Sequence, residues 1–260
     1  MTKRDSKDPK PLHSLDLLWS GRPQGQRGPR PQLSVERIAQ AAVQIADTDG
    51  LEALSMQRIA KELGYSTMSL YNHVPSKDLL LEVAADIGAG PPPDLGDTDD
   101  YRQAIRNWVS ALWNGLRVRP WMLRVPLDHA AMGPHQLAWL ERLLRPLLAA
   151  GLVGGEARVA ALHLTAVVRG TAQISLSMTS TPDADGYPRP DAALTRIVAE
   201  FIDPEQFPAL TAVYKAELET PPTDHQPGKD GLPFELAFGV DRFLDGITHY
   251  VTTKNPPTDH

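Results

Sequence analysis

From Ser34 to about Ala89 the apolar residues recur at steps of three and four, and this period most constrains what the chain can fold into. In SVERIAQAAVQIAD, Val35, Ile38, Ala39, Ala42, Val43 and Ala46 form one stripe of an amphipathic helix. Ser34 is its natural N-cap, Glu36 suits the positive end of the helix dipole, and Asp49-Gly50 predicts the stop. A second helix starts at Ser55 with Met56, Ile59, Ala60 and Leu63 inward. Gly64 closes it, because a left-handed C-terminal residue is cheap only for glycine. After Tyr65, the spacing predicts a short helix from Ser66 through Leu70, Tyr71 and His73, stopped by Val74-Pro75. Ser76 then caps a fourth helix with Leu79, Leu80, Val83, Ala84 and Ile87 inward.

On either side the chain changes character. Residues 1–33 are rich in Pro, Gly, Gln and Arg, with seven Lys or Arg against three Asp, and read as a basic, largely disordered arm. Gly88, Gly90, Pro91 to Pro93 and Gly96 mark a boundary, after which longer helical patterns run to about Val251. Strict alternation never persists, so an all-α fold is expected, with an arm at 1–33 and domains at 34–89 and 97–254.

Two short helices joined at Gly64 have the helix-turn-helix layout, in which the second helix enters the DNA major groove. Its outward positions (Thr67, Ser69, Asn72, His73) are short, neutral or hydrogen-bonding, and no charged residue lies between Glu62 and Lys77. Such a face approaches a polyanion without a repelling carboxylate. Ser55 and Lys77 stand at helix N-termini, where free N–H groups favour an anion, and Tyr71 and His73 add donors. Helix, glycine turn and helix also occur in plain bundles. The bare motif therefore leaves open an all-α small-molecule-binding protein or enzyme whose N-terminal helices merely pack.

The run LSMQRIAKELGYSTMSLYNHVPSKDLLLEVA closely resembles the DNA-binding domain of the TetR family of bacterial repressors, most specifically in STMSLYNHVPSK. The resemblance covers residue 34 to about 87, and FELAFGVDRFLDGI at 234–247 looks like the last helix of a tetracycline-repressor-type effector domain. It implies an N-terminal three-helix helix-turn-helix DNA-binding domain plus a larger helical ligand-binding and dimerisation domain. It also implies base contacts from Gln57, Thr67, Met68 and Ser69 and phosphate contacts from Ser55, Tyr71, His73 and Lys77. Glutamine suits adenine by a bidentate pair, whereas His73 serves equally well as a packing residue. Arg22, Arg27 and Arg30 in the arm could follow the backbone or enter the minor groove. The resemblance departs from the tetracycline repressor itself at residues 88–96 and 174–180, which lack its metal-side residues, so no magnesium-tetracycline effector is expected.

Residues 1–89 hold eleven basic and eleven acidic groups, so the net charge of −6 belongs to residues 90–260. That half carries Trp108, Trp113, Trp121 and Trp139, four of the five tryptophans. A helix from about Gly155 places Val159, Leu162, Ala166, Val167, Gly170, Ile174 and Met178 at helical steps, and the last helix carries Phe234, Ala237, Phe238, Leu244, Ile247 and Val251. Such broad apolar faces suit a four-helix interface between two subunits, as the resemblance implies, and a two-fold dimer can read two half-sites one turn apart. Trp113, Trp121, Met122, Trp139, His163, Gln173 and Met178 are candidate walls of a pocket for an apolar or aromatic effector, although Trp and Met at helical spacing are more often ordinary core.

Other functions find no support in the residues. The absence of cysteine excludes disulfides, Cys-ligated zinc and thiol nucleophiles. The eight histidines show no metal-ligand spacing, and there is no GxSxG elbow, SxxK, Walker loop or GxGxxG, so neither enzyme, metal nor cofactor is expected. No stretch reaches the roughly 18 apolar residues of a membrane span, and Leu15 to Trp19, broken by Asp16, is no secretory core; a cytoplasmic protein is expected. The partners expected are double-stranded DNA, a small-molecule effector and a second copy of the chain. The reading is thus a transcriptional repressor that binds a palindromic operator as a homodimer and is released by its effector.

Overall fold

A computed structural model of the chain describes residues 17–19, 33–96, 98–125, 133–178, 200–219 and 231–254; the side chains of 176–178 and 217–219 lie outside that description. Among the described residues every regular element is helical, with no strand. The basic arm, Arg22 to Arg30 included, falls outside them.

Four serines start the first four helices as N-caps. Ser34 Oγ accepts the Arg37 N–H at the head of α1 (Val35–Asp49) at 3.2 Å, and Ser55 Oγ that of Arg58 in α2 (Met56–Leu63) at 3.1 Å. Ser66 Oγ accepts the Ser69 N–H in α3 (Thr67–Tyr71) at 3.2 Å, and Ser76 Oγ that of Leu79 in α4 (Lys77–Ala89) at 3.1 Å. Each such cap is worth about 1 kcal/mol. Gly64 ends α2 at φ +75°, a left-handed conformation that lets the Tyr65 N–H reach back to Ala60 O at 2.9 Å. The third helix is shorter than the sequence predicts: it stops at Tyr71, and the His73 and Val74 N–H groups both turn back to Leu70 O, at 2.9 and 2.8 Å, ahead of Pro75. Ile38, Ala39 and Ile45 of α1, Ile59 of α2, Leu70 of α3 and Leu80 and Val83 of α4 close one core. Full burial of each large aliphatic side chain contributes roughly 1.5–3 kcal/mol.

A second core joins α5 (Tyr101–Val118), α6 (Pro134–Ala149), α7 (Gly154–Met178) and α9 (Phe234–Lys254). Its members include Ile105, Trp108, Val109, Trp113 and Leu116 of α5, Leu143 and Leu147 of α6, Leu164 and Val168 of α7, and Leu236, Val240 and Leu244 of α9. Ala157, Ala160, Ala161 and Ala172 on α7 allow the close packing of its neighbours. The start of α5 is tied to α9 by Tyr101–Thr248 at 2.6 Å, Arg102–Asp245 at 2.6 Å and Arg106–Asp241 at 2.5 Å. Helix α8 (Pro208–Glu219) contributes to neither core, and its Leu210 and Val213 are exposed.

The two cores meet along α4. Trp121, from a 3-10 turn at Pro120–Arg124, inserts into the first core and donates its indole N–H to Asp47 Oδ1 at 2.7 Å. Asp86 of α4 is the one buried charged residue among those described. Its carboxylate accepts the Gln136 N–H at 2.9 Å and the His135 N–H at 3.4 Å, so it caps the N-terminus of α6 from outside that helix. Gly133 begins α6 where a Cβ would overlap that carboxylate. In return, donors of the second half hold the last carbonyls of α4: His135 Nδ1 is 3.1 Å from Asp86 O, Arg119 Nη1 2.8 Å from Gly88 O, and Trp139 Nε1 3.0 Å from Gly90 O. Each helix end thus satisfies the other's unpaired backbone groups.

Candidate nucleic-acid interface

The α2–turn–α3 unit is anchored from below by Ile59, Ala60 and Leu70, all within 2% of full burial. With those three residues inward, the opposite side faces out. Gln57 near the start of α2 is exposed, Thr67 and Ser69 at the head of α3 are half-buried, and Met68 between them is 72% exposed. An unbranched apolar side chain held that far into water is placed to cover an apolar surface such as a thymine methyl. Ser69 Oγ lies 2.8 Å from the capping Ser66 Oγ, which fixes its rotamer at the tip of the helix.

Around this tip stand the residues expected on phosphates. Ser55 and Lys77 are exposed at the starts of α2 and α4, and Tyr71 is exposed at the end of α3. His73 is half-buried, which suits packing as well as contact, and Asn72 is exposed. Among the described residues no acid pairs with Lys77, whereas Arg58, next to Gln57, is turned to Asp49 at 2.5 Å. Tyr65 in the turn, 38% exposed, is a large exposed ring that the sequence reading passed over; its signal was an aromatic residue directly after the turn glycine.

The seven candidate pocket residues are not brought to one wall. Trp113 lies in the second core at 2% exposure. Trp121 and Gln173 line a cleft of about 500 Å³ between the cores, with Asp47, Glu52, Val118 and Arg124. Met122 packs against both cores, and its carbonyl accepts Arg169 Nη2 at 3.2 Å. Trp139 stands edge-on to Trp108 at 6.0 Å and holds the end of α4. His163 lines a groove of about 590 Å³ between α7 and α9 that does not include Trp139, and its Nδ1 is bonded to Val159 O at 2.9 Å. The Met178 side chain lies outside the described residues. The scatter follows from chemistry: spacing tells which residues are large and apolar, not which helix faces meet.

Beside that groove lies an apolar surface. Val159, Leu162, Val167 and Ile174 of α7 and Phe234 and Phe238 of α9 are between 42% and 66% exposed, with Gly155 and Gly246 in the groove itself. Contiguous apolar surface of this kind marks an interaction site. Across the groove Glu156 accepts from the Lys254 ammonium and the Tyr250 hydroxyl, each at 2.6 Å, and from the Val153 N–H at 3.0 Å. Those three donors hold its carboxyl down at about 2. No cluster of three metal-ligating side chains occurs among the described residues, and no described helix is long and apolar enough to cross a membrane.

Residues 33–84 match the family model described as bacterial regulatory proteins, tetR family. The HTH-type transcriptional repressor DrrR1 of Streptomyces coeruleorubidus is 32% identical over 250 residues, spanning 93% of this chain and 87% of that protein. An HTH-type transcriptional regulator of Saccharopolyspora erythraea is 31% identical over 153 residues, 58% of this chain and 64% of its own length. Among solved structures, the fold is shared with the TetR family protein ActR of Streptomyces coelicolor in complex with (S)-DNPA, at TM-score 0.67 and 22% identity over 85% of this chain and 100% of that one. ActR in complex with actinorhodin gives TM-score 0.66 at 22% identity, covering 85% of this chain and 99% of that one.

Proposed function

Because this chain belongs to the TetR family and is therefore a DNA-binding transcriptional regulator, we propose that it is a repressor that binds a palindromic operator as a homodimer and is released by a small apolar or aromatic molecule. The observation that carries this reading is the uncharged, outward tip of α3, seated on the buried Leu70 and positioned by the Gly64 turn. On this reading Gln57, Thr67, Met68 and Ser69 meet base edges, and Ser55, Tyr71, His73 and Lys77 meet phosphates. The arm at 1–33 adds phosphate contacts, residues 34–89 form the reading head, and residues 97–254 form the effector and dimer domain.

The exposed apolar faces of α7 and α9 support the dimer. A helix pair from each protomer would bury Leu162, Ile174 and Phe238 about a two-fold axis, an isologous arrangement that needs one patch to fit itself. The relatives named as a repressor and as a ligand complex, DrrR1 and ActR, support repression and an effector. The effector lowers DNA affinity by preferring a state in which the two recognition helices stand at the wrong separation for successive major grooves. Regulation of transcription places the work in the cytoplasm, and the chemistry proposed requires no cofactor.

Selection of bound fragments from a random or genomic DNA pool tests the reading. The expected product is a palindrome with half-sites about one helical turn, or a multiple of it, apart. Recovery of no preferred sequence at low salt overturns it.

A further inference from the structure

A cleft of about 500 Å³ is walled by both halves of the chain. On one side stand Ala46, near the end of α1, and Leu51 in the 3-10 turn that follows it (Leu51–Ala53). On the other stand Val118, the last residue of α5, and Pro120, Trp121 and Leu123 of the next turn. A volume of this size holds a drug-sized molecule, and mostly apolar clefts where two domains meet are common places for one. Val118 is 76% exposed, an apolar surface that such a molecule would cover. In the second core, by contrast, Trp113, Leu143, Leu147 and Val168 are at most 2% exposed, so a ligand entering beside them has to displace packed side chains.

The charged side chains of the cleft are already matched across it. Asp47 is reached from the far wall by two donors, Arg119 Nε at 3.0 Å and the Trp121 indole N–H at 2.7 Å. Glu52 pairs with Arg124 in the same way, from the turn after α1 to the turn after α5. A charged ligand entering here gives up its hydration and finds each opposite charge already engaged, a loss that burial does not repay. An uncharged aromatic body gives up no such hydration and gains from covering the apolar walls.

We propose that this cleft is the effector site, and that the effector is an uncharged, flat aromatic molecule of drug-like size. The proposal rests on the effector reading above and adds the place and the chemical class of the ligand. The place also accounts for coupling. The ties from Asp47 and Glu52 to Arg119, Trp121 and Arg124 join the reading head to the second half, and a ligand seated among them touches both. Its fit therefore depends on how one half stands against the other, which is the condition for a ligand to shift DNA binding.

The test uses N-phenyl-1-naphthylamine, a neutral aromatic whose fluorescence rises on leaving water, and 1-anilinonaphthalene-8-sulfonate, the same skeleton with an anionic group. Each is titrated into the full-length wild type, Val118→Arg and Val153→Arg. Val153, 56% exposed just before α7, lines no part of the cleft, so the two variants carry one change at two exposed sites. The wild type is expected to bind the neutral probe at least about tenfold more tightly than the anion, Val118→Arg to lose at least about tenfold of that affinity, and Val153→Arg to keep it. The neutral probe should also lower wild-type affinity for a selected operator by about 5–150 fold, and should not do so in Val118→Arg. Equal affinity for the two probes, binding of neither, unchanged binding by Val118→Arg or an equal loss in both variants overturns the inference. The comparison of probes needs no variant, so it tests the ligand class even where a variant folds poorly. A protein that fails in this way yet still selects a palindrome retains its role as regulator; selection of no DNA removes that role and leaves the probe result to stand by itself.

Discussion

Gly133→Ala isolates the joint between the two cores, because a single methyl group is set against one buried carboxylate. A Cβ on Gly133 overlaps the Asp86 carboxylate and lies 2.8 Å from Asp86 Cβ, well inside the ~3.5–4.0 Å optimum of carbon–carbon contact. With φ at −70°, alanine brings no backbone strain, so the loss comes from the collision alone. Asp86 is 1% exposed and cannot turn into water without parting α4 from α6. Moved aside, it gives up the Gln136 N–H at 2.9 Å and the weaker His135 N–H at 3.4 Å. Hydrogen bonds to a charged group are worth about 1.5–3 kcal/mol, and the second is long, so the expected loss is about 2–4 kcal/mol. At ~2–4 °C per kcal/mol for a chain of this size, the melting temperature falls by about 4–16 °C, read by circular dichroism. In an Asp86→Gly background, where both the carboxylate and its Cβ are gone, the methyl enters vacated space and should cost under about 0.5 kcal/mol. Equal costs in both backgrounds, or a loss below about 1 kcal/mol in the wild type, would refute the collision.

Tyr71→Phe and Lys77→Ala should each weaken binding to a selected operator and to unrelated DNA alike, with the lysine change lowering the slope of log K against log salt by about 1; sequence-selective loss would place these residues on bases instead. Leu162→Glu puts two carboxylates at the proposed two-fold interface and should give a monomer in sedimentation, whereas a persistent dimer moves the interface elsewhere. The carboxyl of Glu156 is held at about 2, chiefly by Lys254 and then by Tyr250 and the Val153 N–H, below its ordinary 4.5. Its contribution is therefore present above about pH 4.5 and lost as pH falls toward 2, so Glu156→Gln should flatten the melting curve in that window; parallel curves for variant and wild type would contradict the link.

The reading head was legible because its signals are local. Ser34, Ser55, Ser66 and Ser76 each cap the helix they precede, and Gly64 takes the left-handed conformation its position demands. Only the end of α3 differs, where the His73 and Val74 N–H groups turn back to Leu70 O ahead of Pro75. The second half was less legible because α7 is apolar on two faces. The stripe Val159, Leu162, Val167 and Ile174 stands outward while Ala157, Ala161, Leu164 and Val168 face the core, and one sequence cannot say which face meets its own chain. Asp86 reads as an ordinary acid in an amphipathic helix. The hint to its role was Gly133-Pro134, a helix start with no side chain of its own to cap it, which therefore needs an acceptor from elsewhere.

That borrowed cap bears on how an effector could act. Three carbonyls at the end of α4 are held by His135, Arg119 and Trp139, and Trp139 is itself bound to the second core, since its carbonyl accepts the Trp108 indole N–H at 2.9 Å. The reading head therefore cannot turn against the core without breaking some of these bonds. A coupling of roughly 1–3 kcal/mol changes DNA affinity by about 5–150 fold, and one or two such hydrogen bonds amount to that much. On the proposed mechanism the effector need not reshape the domain. It needs only to favour a placement of α6 in which Asp86 no longer caps it, and the reading heads then leave the separation that successive grooves require.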